Sequence, residues 1–361
     1  MFKESIKSLS PYSPGKPIEE VERELGITGA VKLASNENPL GPSPKAIAAI
    51  KKGAGEVNLY PDGGGYYLKN KLAEVHGLSP DNIILGNGSD ELGFLAALGL
   101  LSPGDEAVIS DGAFVRYKMY VTLAGGAVRS AKMKNYTHDL VGMRRLITPR
   151  TKVIYISNPN NPTGTIVHSG QVAGFMDSLP DETIVVFDEA YYEYVTAEDF
   201  PQTVPDYLKK GRNVLILRTF SKIYGLAGLR IGYGLGQAEL VDYLERVRPP
   251  FNVSSLAQEA ALAALKDTKH VARSVQANED GKTFLYNGLG RLGLSYVPTS
   301  ANFVFFDAGG KASDVADHLM RRGVIVRPME GWGFPTCIRV TIGTEDENHK
   351  FINALEEVTS L

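Results

Sequence analysis

The sequence predicts an α/β protein with a large domain, built on a mainly parallel sheet, and a smaller α+β domain. Short, continuous apolar runs alternate with longer stretches of helical periodicity, as expected for strands that are covered by helices on both faces. Each run leads into a polar or small-residue segment. Because ligands of open α/β sheets bind beyond the carboxyl ends of the strands, we expect these segments to meet at one crevice.

The apolar runs of the large domain are its predicted strands. They are "NIIL" at 82–85, "EAVI" at 106–109, "KVIYI" at 152–156, "TIVVF" at 183–187 and "NVLIL" at 213–217. The segments that follow them are "GNGSDE", "SDGAF", "SNPNNPTG", "DEAYYEY" and "RTFSK".

The pattern changes near residue 250. The helical stretch "AELVDYLERV" stops at Pro249 and Pro250, and "NVSS" then offers a new helix start. A long helical region and the runs "NFVFFD", "VIVRP" and "CIRVTI" follow. The predicted divisions are an N-terminal arm that joins part of the small domain (1–42), the large domain (43–250) and the small C-terminal domain (251–361).

Composition indicates a folded protein that binds small molecules. Of the 361 residues, 43% are hydrophobic and 22% are charged, which is ordinary for a globular chain. The net charge of −3 supplies no basic surplus for nucleic acid or an anionic membrane. The single cysteine, Cys337, fits a reducing compartment. No apolar run resembles a signal peptide or approaches the roughly 20 residues of a membrane span, so we expect a cytoplasmic location.

Two of the polar segments are turns that offer groups to a ligand. "GNGSDEL" (86–92) has Glu91 where a dinucleotide-binding motif needs its third glycine. Its backbone N–H groups at Ser89 and Asp90 either bind a phosphate at a helix start or belong to an ordinary strand-to-helix turn. In "SNPNNPTG" (157–164), the prolines either make a plain rigid turn or present Asn161 to the crevice.

Charged residues follow the last two strands of the large domain. Asp188 ends an apolar strand, where it is either a capping residue or a counter-charge for a cationic ligand atom. Lys222 follows "LILRTFS" and precedes a run with few charges. A partly desolvated lysine there would have a lowered pKa and serve as a nucleophile. Arg230 is either a structural residue or a second residue of the same site, where its side chain would hold an anion.

Other classes of site are disfavoured. The six histidines are scattered, without an H-x-x-x-H pair, and the lone cysteine has no partner, so no metal site is predicted. A G-x-S-x-G elbow is absent. A nicotinamide dehydrogenase would leave Lys222, Asp188 and Arg230 without roles, and the retained lysine argues against a non-catalytic binding module.

Taken together, "SNPNNPTG", "DEAYYEY" and "TFSKIYGLAGLRIGYG" resemble the signature of the fold-type I pyridoxal-phosphate aminotransferases. Nearly the whole chain shares the resemblance: "PYSPGKPIEEVERELG", "KLASNENPLGPSP", "NLYPDGGGYYLK", "GNGSDE" and "VIVRPMEGWGFPTCIRVTIGTEDEN" are similar to the histidinol-phosphate aminotransferase subgroup. The resemblance implies amino transfer between L-histidinol phosphate and 2-oxoglutarate in histidine biosynthesis. An aromatic-amino-acid aminotransferase and a threonine-phosphate decarboxylase are the alternatives.

The resemblance implies roles around pyridoxal 5′-phosphate. Lys222 would attach covalently to the cofactor aldehyde and move the proton in catalysis. Asp188 would pair with the pyridine nitrogen, and Asn161 and Tyr191 would hydrogen-bond to the ring 3′-oxygen. Phe114 is the expected stacking residue, with Tyr117 as the alternative.

At the phosphate end, the resemblance implies backbone N–H groups at Ser89 and Asp90, with Thr219, Ser221 and Arg230 completing the site. Tyr60, in "LYPDGG", matches a family tyrosine that reaches this phosphate from the neighbouring subunit. A homodimer with shared active sites is the consequence.

On the substrate side, Arg339 matches the family arginine that holds a carboxylate or a phosphate, and a guanidinium suits both anions. Arg327 and Tyr12 are either second contacts or structural residues. Trp332 stands where a smaller aromatic residue such as tyrosine is expected, so it bears on substrate preference.

Overall fold

A computed structural model of the protein describes residues 4–7, 9–11 and 15–360. The strands are β1 (Val31–Lys32), β2 (Ile83–Gly86), β3 (Glu106–Ser110), β4 (Ala127–Ala131), β5 (Thr151–Ser157), β6 (Ile184–Asp188), β7 (Val214–Thr219), β8 (Gly232–Gly236), β9 (Tyr296–Val297), β10 (Phe303–Asp307), β11 (Val324–Ile325), β12 (Arg327–Pro328) and β13 (Cys337–Thr341).

Helices occupy most of the chain between the strands. They are α1 (Glu4–Lys7), α2 (Ile18–Leu25), α3 (Pro44–Gly53), α4 (Tyr66–His76), α5 (Gly88–Leu100), α6 (Arg116–Ala124), α7 (Leu140–Arg145), α8 (Ser169–Asp177), α9 (Thr203–Asp206), α10 (Ala238–Val247), α11 (Ser255–Ala264), α12 (Thr268–Arg291), α13 (Ala312–Arg321) and α14 (Glu345–Thr359). Among the described residues, no helix combines the length and apolar character that a bilayer span needs.

The large sheet has the strand order β2-β8-β7-β6-β5-β3-β4. Its strands run parallel except β8, which is antiparallel to both of its neighbours. Alternate residues of each central strand enter opposite cores: Ile154 and Phe187 face one layer of helices, while Val153 and Val186 face the other. Because both faces are covered, these strands need continuous apolar runs. The predicted α/β class and mainly parallel sheet are confirmed.

All five strands predicted for the large domain are present, but β4 and β8 were not predicted. Strand β4 lies at the sheet edge with a partly exposed sequence, "AVRSA", so it lacks an apolar run. Strand β8 is buried yet reads "GYGLG", and glycine gives no strand signal. The sheet needs glycine there because a Cβ on Gly232 would lie 2.5 Å from the backbone nitrogen of Ser89.

The small domain contains an antiparallel sheet of order β12-β13-β10-β9 and the parallel pair β1-β11. The run "VIVRP" divides between them: β11 pairs with β1, and β12 pairs with β13. Its two halves therefore serve different sheets. Helices α12, α13 and α14 contribute buried residues to the core of this domain.

Two segments bear on the predicted domain divisions. Strand β1 pairs with β11 of the small domain, and the assignment of 1–42 stays a prediction. Helix α11, capped by Ser254, packs against α3, and its residues Ala257 and Ala261 lie in the same core as the large sheet. By packing, α11 belongs with the large body, and the division at residue 250 stays a prediction.

Candidate active site

The carboxyl ends of the parallel strands in the large sheet open on a cavity of about 330 Å³. All five segments that follow the predicted strands contribute to its wall, so they meet at one crevice as expected. Predicted site residues that line this cavity are Ser89, Asp90, Phe114, Asn161, Asp188, Tyr191, Thr219, Ser221, Lys222, Arg230, Arg327 and Arg339.

Lys222 lies just beyond β7, with its amine inside the cavity wall. Its Nζ donates a hydrogen bond to the carbonyl of Ser35 at 3.0 Å and lies 5.8 Å from the ring centre of Tyr191. Burial, together with the positive charges of Arg339 and Arg230, lowers the pKa of the amine to about 7. A substantial fraction of the amine is therefore neutral, and nucleophilic, near neutral pH.

Asp188, the last residue of β6, points a carboxylate into the same cavity. Burial raises its pKa to about 6. The hydroxyl of Tyr117 donates to Asp188 Oδ2 at 2.7 Å, and the backbone nitrogen of Ala190 donates to Oδ1 at 3.2 Å. A positive ligand atom beside this carboxylate would lower its pKa and be held by it.

The geometry distinguishes the two candidates for ring stacking. Tyr117 is 1% exposed, and its ring stacks on Tyr155 with centroids 4.9 Å apart. Both residues line the cavity, and Phe114 is only half-buried. Tyr117 supports Asp188 through its hydroxyl, which sequence reasoning did not anticipate, and the stacking role of Phe114 stays a prediction.

The start of α5 forms the cationic end of the cavity. Arg230 lies against it, where a Cβ on Gly88 would be 2.5 Å from Nη2 of Arg230. Nη1 of Arg230 donates to the Ser221 hydroxyl at 3.2 Å and to the Ala227 carbonyl at 3.0 Å. Within the described ranges, no carboxylate lies within ion-pair distance of Arg230. A guanidinium beside a helix N-terminus suits an anion.

The carboxylate of Asp90, in the first turn of α5, does not compete for this anion site. Arg116 donates to it from Nε at 3.2 Å and from Nη2 at 3.1 Å, and the Tyr120 hydroxyl donates as well. Its charge is thus neutralised locally. Arg116 and Tyr120 were missed because an arginine and a tyrosine on a helix carry no sequence signal of this contact.

Two arginines of the small domain face the cavity from adjacent strands. Arg327 of β12 and Arg339 of β13 are directly opposite in the antiparallel register, so their side chains leave the same face of the sheet. The guanidinium carbon of Arg327 lies 5.2 Å from the ring centre of Trp332. Nη1 of Arg339 donates to Asn161 Oδ1 at 2.6 Å, so the nitrogen of that amide remains as the donor.

One predicted residue that the structure describes, Tyr60, is not part of this cavity. Tyr60 is 84% exposed and stacks on Phe251 with centroids 4.8 Å apart, away from the cavity of its own chain. Its predicted role concerns a neighbouring subunit and stays a prediction. Tyr12 lies outside the described residues.

Sequence reasoning also missed the segment Ala34–Asn36, which lines the cavity. Its carbonyls and the Asn36 side chain bond to Arg339, Lys222 and Tyr191. The available signal was the polar stretch "SNEN" directly after the apolar "VKLA".

The cavity fits a pyridine ring that bears an aldehyde and a phosphate, the predicted cofactor. The helix start with Arg230 suits the phosphate, because glycines 88 and 232 keep side chains out of it. The Asp188 carboxylate suits a protonated ring nitrogen, and the amine of Lys222 suits the aldehyde.

Comparison with known proteins agrees with the geometry. Residues 28–355 match the family described as aminotransferase class I and II. The chain is 50% identical over 357 residues to a histidinol-phosphate aminotransferase from Moorella thermoacetica, with 99% of this chain and 92% of the relative covered. It is 47% identical over 362 residues to histidinol-phosphate aminotransferase 2 from Carboxydothermus hydrogenoformans, with 100% of both covered.

Among solved structures, histidinol-phosphate aminotransferase from Sinorhizobium meliloti in complex with pyridoxal 5′-phosphate superposes with a TM-score of 0.91. That comparison covers 99% of this chain and 97% of the other at 31% identity. The chain therefore belongs to the class I and II aminotransferase family and is a pyridoxal-phosphate-dependent aminotransferase of fold type I, as its motifs predicted.

Proposed function

We propose that this aminotransferase takes the amino group from L-histidinol phosphate and gives it to 2-oxoglutarate, a step of histidine biosynthesis. The observation that supports this proposal most directly is the pair of opposed arginines, Arg327 and Arg339, on the wall of the cavity that holds Lys222. Guanidinium groups bind phosphate and carboxylate with the same planar array of donors. One site can therefore serve an amino donor with a phosphate and a 2-oxo acid with a second carboxylate.

The relatives support the choice of donor. Those from Moorella and Carboxydothermus are named histidinol-phosphate aminotransferases, and their similarity extends along essentially the full chain. We assign Arg339 as the principal anion contact because it is buried and fixed by Asn161 and by the carbonyl of Ala34. Arg327 is the second contact.

When bound, pyridoxal phosphate supplies an electrophilic aldehyde and an electron-accepting ring. Lys222, whose amine is neutral in part near pH 7, would hold the aldehyde end of the cofactor, and its Nζ would accept the proton from the substrate α-carbon. The Asp188 carboxylate would hold the proton on the ring nitrogen. Asn161 and Tyr191 would donate hydrogen bonds to the ring 3′-oxygen, and Phe114 would stack on the ring.

The phosphate end is assigned to groups from two elements. The backbone N–H groups of Ser89 and Asp90 at the start of α5 donate to the phosphate. Thr219, Ser221 and Arg230, which line the same end of the cavity, add hydroxyl donors and a positive charge.

The active unit in this proposal is a homodimer in which Tyr60 reaches the cofactor phosphate of the partner subunit. On the single chain considered alone, large apolar side chains between α3 and the first turn of α4 are exposed. They are Val57, Leu59, Tyr60, Tyr66 and Tyr67, and Phe251 lies beside them against Tyr60. Such a concentration of exposed apolar surface is typical of protein interfaces. A cytoplasmic location stays a prediction.

The deciding experiment compares histidinol phosphate, phenylalanine and phosphothreonine as amino donors to 2-oxoglutarate. We expect histidinol phosphate to have the highest kcat/KM, with glutamate formed in equal amount to donor consumed. Lys222→Ala is the control and should give no turnover. If histidinol phosphate is the poorest donor, the proposal is wrong, and carbon dioxide released from phosphothreonine without a 2-oxo acid would indicate a decarboxylase instead.

A further inference from the structure

Three consecutive residues of the N-terminal region cross the active site and bond to separate functional groups. In the segment Ala34–Asn36, the carbonyl of the first residue accepts from Nη2 of Arg339 at 2.8 Å. The carbonyl of the second accepts from Nζ of Lys222 at 3.0 Å. The side-chain nitrogen of the third, Nδ2 of Asn36, lies 2.9 Å from the hydroxyl of Tyr191.

The surroundings of Asn36 determine which way its amide points. The Thr341 hydroxyl accepts from the backbone nitrogen of Asn36 at 2.9 Å, so its single proton is directed to Asn36 Oδ1, 3.3 Å away. The amide oxygen is therefore the acceptor and Nδ2 the donor. Asn302 donates to the Asn36 carbonyl at 3.0 Å, and Asn36 is 1% exposed, so the arrangement is buried and held from several sides.

The backbone also restricts the residue at this position. Asn36 has a φ of 56°, in the left-handed region, which asparagine and aspartate adopt more readily than other residues with a side chain. The backbone conformation therefore favours asparagine or aspartate at the position whose side chain bonds to Tyr191.

Because an amide nitrogen donates and cannot accept, the oxygen of Tyr191 is the acceptor in this bond. The hydroxyl proton of Tyr191 therefore points away from Asn36, and the phenol donates it to a different acceptor. We infer that Asn36 is a positioning residue that acts through Tyr191, making the phenol a donor toward the ring oxygen of the cofactor. This inference rests on the proposed function, because it takes Tyr191 as a contact of that oxygen.

Loss of this hydrogen bond would change the pKa of the lysine-linked cofactor and not only the rate of turnover. A hydrogen bond donated to the ring oxygen stabilises its anionic form and so keeps the pKa of the lysine-linked cofactor low. Charged groups near Tyr191 include Lys222, whose Nζ lies 5.8 Å from the centre of its ring, and Arg339, which lies over the ring of Phe303 beside Tyr191.

The test is Asn36→Asp in the cofactor-loaded protein without substrate. Aspartate keeps the size and tolerates the backbone, but its carboxylate accepts, so it diverts the proton of Tyr191. We expect the pH midpoint of the cofactor absorbance change to rise by about one unit, a tenfold change in proton affinity. No shift would overturn the inference.

A double-mutant cycle separates the effect of losing the hydrogen bond between residue 36 and Tyr191 from the effect of the carboxylate charge that Asn36→Asp adds. In a Tyr191→Phe background, Asn36→Asp should move the midpoint by less than half as much, because only the charge remains. Equal shifts in the two backgrounds would overturn the inference.

Two variants of Thr341 give an independent test if Asn36→Asp fails to fold. Thr341→Val removes the hydroxyl that orients the amide and should raise the midpoint, whereas Thr341→Ser keeps the hydroxyl and should not. Identical midpoints in this pair would overturn the inference while leaving the proposed function intact. A wild-type protein that stays colourless with pyridoxal phosphate would overturn both.

Discussion

At the scale of single residues, the active site depends on charges whose surroundings change their chemistry. The amine of Lys222 has a pKa of about 7 rather than its ordinary 10.5, because it is buried and because Arg339 and Arg230 lie near it. The same arginines that favour anionic ligands therefore also favour a neutral, reactive lysine.

The lysine gives a pH prediction for the apoprotein. The rate at which Lys222 attaches added pyridoxal phosphate should rise about tenfold per pH unit below 7, where the neutral amine is the minor form, and level off above it. Stopped-flow absorbance measures the rate, and borohydride trapping with peptide mass analysis identifies the site. Lys222→Ala should bind the cofactor without attachment. A rate that keeps rising to pH 10 would mean that the pKa is not lowered.

Arg339 gives a prediction on substrate binding. Arg339→Ala removes charged hydrogen bonds worth about 2–3 kcal/mol, so kcat/KM should fall roughly 30- to 150-fold, mainly through KM. Cofactor affinity, measured by absorbance titration, should change much less. Arg322→Ala is the matched control, since that small-domain arginine pairs with Glu357 outside the cavity. Equal loss of cofactor affinity in Arg339→Ala and Lys222→Ala would contradict the assigned roles.

At the scale of elements, strand β8 shows how the sheet makes room for the anion site. It brings its first residue, Gly232, against the N-terminal turn of α5: a Cβ there would lie 2.5 Å from the backbone nitrogen of Ser89 and 2.9 Å from the carbonyl of Arg218. Backbone atoms cannot move aside as a flexible side chain can. The glycine therefore permits a helix start at this distance from the sheet.

Gly232→Ala should displace the helix start. We expect a loss of about 1–3 kcal/mol in the free energy of unfolding and weaker cofactor binding, measured by chemical denaturation and absorbance titration. Gly236→Ala, on the same strand, is the matched control: its Cβ would meet its nearest neighbour, Leu240, at an ordinary 3.5 Å. If the two substitutions cost the same, the close approach at Gly232 is not what the sheet requires.

At the scale of the whole molecule, the site combines both bodies of the protein. The large domain contributes Lys222 and Asp188, the small sheet contributes the two opposed arginines, and the segment Ala34–Asn36 bonds to groups from both. Exposed apolar side chains between α3 and α4 then provide the surface for the proposed second subunit.

The interface predicts the effect of a surface charge. Val57→Glu should lower the fraction of dimer in sedimentation velocity experiments, because a carboxylate would be buried against apolar surface. Val141→Glu is the matched control: the two valines are 62% and 60% exposed, but Val141 lies on α7, outside the apolar group. A wild-type chain that sediments as a monomer at micromolar concentration, or equal effects of the two substitutions, would contradict the dimer proposed through this surface.

Much of the fold and of the candidate site could be predicted from the sequence, for identifiable reasons. Strands β2, β3, β5, β6 and β7 have apolar residues on both faces, and a doubly covered strand must have them. Strands β4 and β8 were missed because an edge strand and a glycine-rich strand lack that pattern. Lys222, Asp188 and Asn161 were identifiable because each ends or follows a strand at the ligand edge of the sheet.

The sequence by itself determined the fold class, the family, the cofactor and most residues of the candidate site, because these depend on local pattern and on motifs in a fixed order. Only the tertiary structure decided that Arg327 and Arg339 stand side by side, that Tyr117 supports Asp188, and that Asn36 donates to Tyr191. These pairs lie far apart along the chain. Their contact depends on strand register and on packing between the two bodies, which no local stretch of sequence specifies.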